Sequence, residues 1–501
     1  MDTARLDLVL LVGASVLLVA ILAVRLSVHI GLPSLLVYLG MGVALGESAI
    51  GLRFDDAAWA QALGFAALVV ILTEGGLTAR WSEIRPVLPM SILLATVGVA
   101  VSVGVVAVVV HAVLGVSWQQ AALIGAIVSS TDAAAVFSVL RRVPIRNSVR
   151  ALLEAESGLN DPIAVLLVTA LSSAAWAEQN VAFSALMVLY ELVAGVAGGL
   201  LVGTVGSWLL RRVALPASGL YPLAVLALAV LAYGGMAAAH ASGFAAVYVA
   251  ALMLGNANLP HRTATRSFVE GVTWLAQIGM FVMLGLLASP GRLEWWHAGW
   301  ALLAGLVLTL LARPLAVVAC ALPFRLPWRQ QVFVSWAGLR GAIPIVLATI
   351  PLTAGAEGAE DVFDIVFLLV VVFTLLQAPT LAPAATWLGE TVTEQAEELE
   401  LEAAPLERLG AELLQVRVTP TSRLHGVYLE ELHLPSGVSV SLVVRDSASF
   451  VPDRHTTIRR GDELLVVTPR KLRAATERRL RSVSRAGRLA DWLGDPDEPP
   501  R

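Results

Sequence analysis

The chain has 501 residues, 57% of them hydrophobic and only 14% charged, with a formal net charge of −4. An ordinary soluble domain carries about 25% charged residues, so a wholly soluble chain is excluded, and nothing in the charge balance calls for a nucleic-acid partner. The lone cysteine, Cys320, excludes an intrachain disulfide and a cysteine metal cluster.

From residue 6 to about 388 one apolar run follows another. About 20 apolar residues cross the hydrocarbon core. On that rule thirteen spans are expected, near 6–25, 32–50, 58–79, 87–114, 119–140, 148–173, 181–211, 218–240, 242–258, 267–288, 297–322, 329–352 and 360–388. The first run lacks a basic start and a convincing cleavage site, so it reads as a span of the mature protein. Gly42 with Gly46, and Gly195, Gly199 and Gly203, have the small-residue spacing of close helix packing, within the bundle or at a dimer seam.

Arginines divide the connections. Those after odd-numbered spans carry, at or near them, Arg25, Arg80, Arg85, Arg141, Arg142, Arg146, Arg150, Arg211, Arg212, Arg262, Arg266, Arg325 and Arg329. Those after even-numbered spans carry Arg53 and Arg292. The positive-inside bias then sets the N-terminus outside and the C-terminal part in the cytoplasm. The expected architecture is an all-α polytopic membrane domain (1–389), an acidic and partly helical connector (390–404), a small α+β module (405–485) and a disordered tail (486–501). Within the module, ELLQVRV, VSVSLVVRD and DELLVVTP read as strands. SRLHGVYLEELHL reads as a short helix and turn, KLRAATERRLRSV as a basic helix, and Gly461-Asp462 as a turn.

The chemistry concentrates in SSTDAAAVFSVLRRVPIRNSVRALLEAESGLNDP, residues 129–162. Asp132, Glu156 and Asp161 sit in sequence that otherwise reads as membrane. An acid at the centre of the bilayer costs at least about 2.5–3.5 kcal/mol on insertion scales. A polar network that merely ties two helices together does not need three of them. Ser157 and Asp161 share a helix face, and Pro162 loosens the helix beside the carboxylate. Asn160 adds an amide; Thr131 and Asp132 add a hydroxyl, a carbonyl and a carboxylate from the neighbouring span. Hard oxygen ligands of this kind suit an alkali cation or a proton. A carboxylate tuned near neutral pH holds one or the other, and that competition is the minimal chemistry of exchange. It needs no cofactor and no ATP.

Arg313 and Arg340 lie inside the eleventh and twelfth spans and each requires an acidic or carbonyl partner; Glu156 is a natural partner for one of them. Gly338, Gly341 and Pro344 interrupt the twelfth span, and Ser129 to Asp132 interrupt the fifth. Two broken spans seven apart fit an inverted-repeat transporter with an ion site at its centre. Glu74, near the end of the third span, is either a further ligand or a snorkelling surface acid. A potassium channel or efflux pathway is the competing reading, but no TVGYG-like filter is present. An intramembrane enzyme would need an oxyanion donor set that the sequence does not show.

STDAAAVFSVL followed by ESGLNDP, ARP and GLRGAIP resembles the monovalent cation/proton antiporters of the NhaP type. TDA in place of TDP, together with a C-terminal module, resembles their potassium/proton branch. The resemblance implies a thirteen-helix homodimer in the cytoplasmic membrane, with a dimerisation domain and a mobile six-helix core. It assigns Asp161 and Asp132 as ion-site carboxylates, and Thr131, Ser157 and Asn160 as neutral ligands or their supports. It assigns Glu74 as an acid of the third span and Glu156 with Arg313 as an internal ion pair. The Asn160-Asp161 pair implies electroneutral exchange of K+ or Na+ for H+. The C-terminal segment resembles the C-terminal (TrkA-C) part of RCK regulatory modules, which implies a small-molecule ligand. No nucleotide-binding glycine fingerprint precedes it.

Overall fold

The computed structural model describes residues 3–30, 34–46, 51, 54, 56–140, 143, 145–173, 181–391, 401–406, 411–419, 422–445 and 448–487. The chain divides into two compact units, residues 1–391 and 392–501.

The first unit is helical. Lipid cannot satisfy backbone N–H and C=O groups, so apolar runs of this length close their hydrogen bonds internally. In chain order the helices are α1 (Thr3–Ile30), α2 (Ser34–Leu45), α3 (Ala57–Thr78), α4 (Leu88–Leu114), α5 (Trp118–Ser129), α6 (Ala133–Leu140), α7 (Asn147–Ser172) and α8 (Val181–Arg212). They continue with α9 (Leu220–Ala238), α10 (Gly243–Asn256), α11 (Arg262–Leu287), α12 (Trp295–Phe324), α13 (Trp328–Trp336), α14 (Ala342–Ala354) and α15 (Ala359–Leu388). Among the described residues seven of these are long and apolar enough to cross a membrane: α3, α4, α8, α9, α11, α12 and α15. The two interruptions expected from sequence are real breaks, at residues 130–132 between α5 and α6 and at 337–341 between α13 and α14. α4 and α12 each contain a π-helical turn, Leu94–Gly98 and Leu308–Ala312. The second lies directly before Arg313 and Pro314, where a widened turn accommodates the proline ring.

Two helices matter most for the site. α10 packs against α3, α8 and α9, and α7 packs chiefly against α4, α5 and α14 and less extensively against α10. The glycine stripe of α8 is used within the chain: a Cβ on Gly199 or Gly203 would run into Ala246 or Met253 of α10. The opposite face of α8 is left exposed, with Leu186, Leu189, Tyr190, Val193 and Leu201 all more than half accessible. Gly42 likewise lets α2 lie backbone to backbone on α11, at Val282 and Gly285.

The second unit is a five-stranded antiparallel sheet in the order β1-β2-β5-β3-β4, built from β1 (Leu401–Leu406), β2 (Ala411–Arg417), β3 (Ser439–Arg445), β4 (Ala448–Phe450) and β5 (Glu463–Pro469). Opposed pairs Leu414–Val466 and Val416–Leu464 form its buried face, and α16 (Arg473–Ala486) lays Leu480 and Val483 on it. The expected short helix is a 3-10 turn, Leu429–Leu432. Gly461 makes the expected turn at φ +83°. The connector expected over 390–404 is shorter at both ends. Glu390 and Thr391 belong to the first unit, and β1 begins at Leu401. Residues 392–400, and all of the expected tail beyond Gly487, lie outside the described residues.

Candidate functional site

The two breaks cross. The backbone N–H of Asp132 donates to the carbonyl of Leu339 at 2.9 Å, joining one interruption to the other. Unwound backbone inside a membrane domain must be satisfied by protein, and charged side chains complete the task here. The Arg340 guanidinium donates to the carbonyls of Ser130 (2.9 Å) and Ser129 (3.4 Å), so a cation caps the negative end of α5. Thr374 on α15 donates to the Arg340 carbonyl at 2.8 Å. The Asp132 carboxylate accepts from the N–H of Ala135 at 3.1 Å and so caps the positive end of α6. The same carboxylate rests on Gly341, the residue that opens α14, where any Cβ would overlap it.

Beside this crossing runs α7. It stays helical through Pro162, which has no N–H to return to the carbonyl of Gly158. Asp161 is 2% exposed. One of its oxygens, Oδ1, accepts from the Ser130 hydroxyl at 2.6 Å. Ser157 donates its hydroxyl to the Thr131 carbonyl (2.9 Å) and accepts from the N–H of Ala133 (3.3 Å). The Asn160 amide donates to the Thr131 hydroxyl at 2.7 Å; its own Oδ1 is buried with no hydrogen-bond partner among the described residues. Glu156 and Arg313 form a bidentate pair, Nη1 with Oε1 and Nη2 with Oε2, the second at 2.8 Å. The carboxylate is 1% exposed and the guanidinium 6%.

A cavity of about 450 Å³ reaches this region. Of the residues singled out from sequence, Asp161, Asp132, Ser157 and Glu74 line it. Thr131, Asn160, Glu156, Arg313 and Arg340 do not; they stand behind the wall and hold it. Three further polar lining residues were not singled out from sequence: Glu154, Tyr248 and Glu270. Burial falls along the cavity, from Asp161 at its inner end, through half-buried Asp132, Glu74 and Glu154, to exposed Glu270. Arg150 stands on the same wall as Glu154. Glu154 could have been found from its spacing, since residues 154, 157, 158 and 161 share one face of α7. Nothing in the sequence marks Tyr248, a lone aromatic in an apolar run.

A buried acid at the end of a cavity lined by several carboxylates, beside two crossed and charge-capped half-helices, defines an ion-handling membrane protein. Comparison with known proteins gives the class a family. The model of the sodium/hydrogen exchanger transmembrane domain matches residues 14–387, and the chain belongs to that family. The TrkA-C domain matches residues 413–481. The K(+)/H(+) antiporter NhaP2 of Shewanella oneidensis is 35% identical over 99% of this chain and 87% of its own length. The K(+)/H(+) antiporter NhaP of Alkalimonas amylolytica is 39% identical over 78% of this chain and 68% of its own. Among solved structures, the sodium proton antiporter MjNhaP1 of Methanocaldococcus jannaschii superposes with a TM-score of 0.65 at 21% identity. It covers 76% of this chain and 99% of its own, a likeness of fold.

Proposed function

We propose that the chain exchanges a monovalent cation, potassium before sodium, for protons, by competition of cation and proton for Asp161. The observation that carries this reading is the Asp161 carboxylate. It is buried at the inner end of the cavity, one oxygen is held by Ser130, and the other has no hydrogen-bond partner among the described residues. Asp132 and Ser157 border the same space and can contribute oxygen ligands, while Glu74 serves the approach. Potassium is put first because the relatives that align over nearly the whole chain are named K(+)/H(+) antiporters.

Exchange is electroneutral in this reading, because a neutral Asn160 precedes Asp161 and leaves one titrating group on that turn. The thirteen expected spans rest on the apolar runs, a cytoplasmic C-terminal unit on the arginine distribution, and the cytoplasmic membrane on the family resemblance. Homodimerisation is supported by the exposed apolar face of α8, and the TrkA-C match supports a regulatory small-molecule ligand on the second unit. The test is flux in proteoliposomes carrying an imposed pH gradient. Potassium or sodium should dissipate the gradient without creating a membrane potential. A voltage signal on cation addition overturns electroneutrality, and uncoupled conductance favours a channel instead.

A further inference from the structure

We propose that Tyr248 is a specificity-determining residue of the cation path: its ring closes on Gly158 between the cavity mouth and Asp161, and its phenol oxygen is a neutral ligand the cation meets there. The inference rests on the antiport reading above.

Three observations carry it. The first is position. Glu154, Gly158 and Asp161 are spaced by four and three residues, so they form one stripe down α7 from the half-buried zone to the inner end of the cavity. Tyr248 lies over the middle of that stripe. A Cβ on Gly158 would overlap ring atoms Cε2 and Cζ and come within 2.9 Å of the hydroxyl. Only a glycine admits so close a contact, and there the ring sits directly on the α7 backbone between the two acids.

The second is the hydroxyl itself. Tyr248 is 5% exposed as a residue and lines the cavity, and its hydroxyl makes no hydrogen bond to any described residue and is not sealed inside the protein. A tyrosine ring packed on apolar surroundings leaves its polar tip for a wet neighbour. A polar group kept here without a protein partner is available to whatever enters the cavity. The carbonyl of Gly158, deprived of its helical donor by Pro162, is a second neutral oxygen on the same turn. A neutral oxygen suits a transit point, because a further carboxylate would hold the cation too tightly for it to leave. Narrowness combined with neutral ligands makes the cation shed water without full repayment by charge, and potassium and sodium differ in that cost.

The third is the helix that presents the ring. α10 is locked to α3, where Gly76 meets Ala251 and Gly255 meets Leu77 backbone. α7 packs chiefly against α4, α5 and α14 and meets α10 along a smaller contact. The Tyr248–Gly158 contact lies in that smaller contact, beside the cavity.

The test uses the full chain in proteoliposomes, with initial rates measured against potassium and sodium. Tyr248→Phe keeps the ring and removes the oxygen; KM for the preferred cation should rise about fivefold with kcat within about twofold. Tyr248→Ala opens the path; exchange should persist while the potassium-to-sodium ratio of kcat/KM moves about fivefold towards one. Gly158→Ala should slow exchange by about tenfold or more, and adding Tyr248→Ala should restore most of it, a rescue that a merely structural contact would not give in selectivity. Unchanged KM and unchanged selectivity in both Tyr248 variants overturn the proposal. So does a double variant as slow as Gly158→Ala alone. Asp161→Asn, run in parallel, separates the two readings. Exchange retained there overturns the exchange-site reading, whereas silent Tyr248 variants beside an inactive Asp161→Asn overturn this inference alone.

Discussion

Asp161 and Glu156 are five residues apart on α7 and equally buried, but their surroundings divide them. Asp161 faces a cavity and keeps one oxygen free of hydrogen bonds to the described residues; Glu156 has both oxygens on Arg313 and faces none. Asp161→Asn keeps the shape and removes the titrating group. The expected result is a folded protein without exchange, measured by gradient dissipation alongside a melting curve in detergent. Glu156 should behave as scaffold. Breaking a buried pair from either side typically costs about 3–5 kcal/mol, while replacing both partners by apolar groups is often nearly neutral. Glu156→Leu and Arg313→Leu should each lower the melting temperature, and the double variant should recover much of the loss. A double-mutant cycle reads this directly, and additive losses would show that the two side chains are not coupled. The acids of residues 129–162 were legible in sequence because each is costly in a membrane. Tyr248, Glu154 and Glu270 were not. An exposed or half-buried Glu and a lone Tyr carry no such cost, and the cavity wall they share is assembled from helices distant in sequence.

At the scale of elements, the crossing of the two broken spans depends on a match between half-helix ends and side chains. Both breaks were legible, one from Ser129 to Asp132 and one from Gly338 to Pro344, because polar and glycine residues at mid-span have few other uses. Their mutual bonding was not, since no local pattern says that Asp132 N–H will reach Leu339. Gly341 tests the arrangement. A methyl group there would overlap the Asp132 carboxylate and push it from the N-terminal ends of α6 and α14. Gly341→Ala should lower both the melting temperature and the exchange rate, the latter by about tenfold, as a misplaced site group commonly does. Gly104→Ala, also within a helix but with open space around the new Cβ, should be neutral or stabilising by up to about 1 kcal/mol. Equal behaviour of the two variants would mean that the crossing tolerates displacement of Asp132. Elsewhere the elements that escaped sequence reading are strands. β1 carries Pro405 in an acidic stretch, a composition tolerated at a sheet edge, and β1 is an edge strand. β4 has three residues, too few to show alternation.

For the whole molecule, the boundary between units makes a sharp prediction. The second unit has its own core of Leu414, Val416, Leu464, Val466, Leu480 and Val483, and a half-buried Arg445 bonded twice to buried Asp462, both at 2.8 Å. The described residues that line the cavity lie between Ser34 and Ile343, within the first unit. Removing everything after Thr391 should therefore leave exchange intact and change its regulation. Removing three residues more should not be tolerated equally. Gly389, Glu390 and Thr391 tie the end of α15 to the start of α7. Arg146 N–H donates to the Glu390 carbonyl at 3.1 Å, and its guanidinium reaches the Gly389 carbonyl at 3.3 Å. The Arg146 Nε lies 3.6 Å from the Glu390 carboxylate, itself 4% exposed, and Ile145 pairs with Thr391 as an isolated antiparallel bridge. α7 carries Asp161, so loosening its first turn disturbs the placement of the carboxylate proposed to exchange. A chain ending at Thr391 should match the full chain in exchange rate and in the melting of the membrane unit. A chain ending at Leu388 should melt lower and exchange more slowly, with Glu390→Ala in the full-length chain reproducing part of the loss. Equal behaviour of the two shortened chains would show that this tie does not support the site, and loss of exchange already at Thr391 would show that the second unit does.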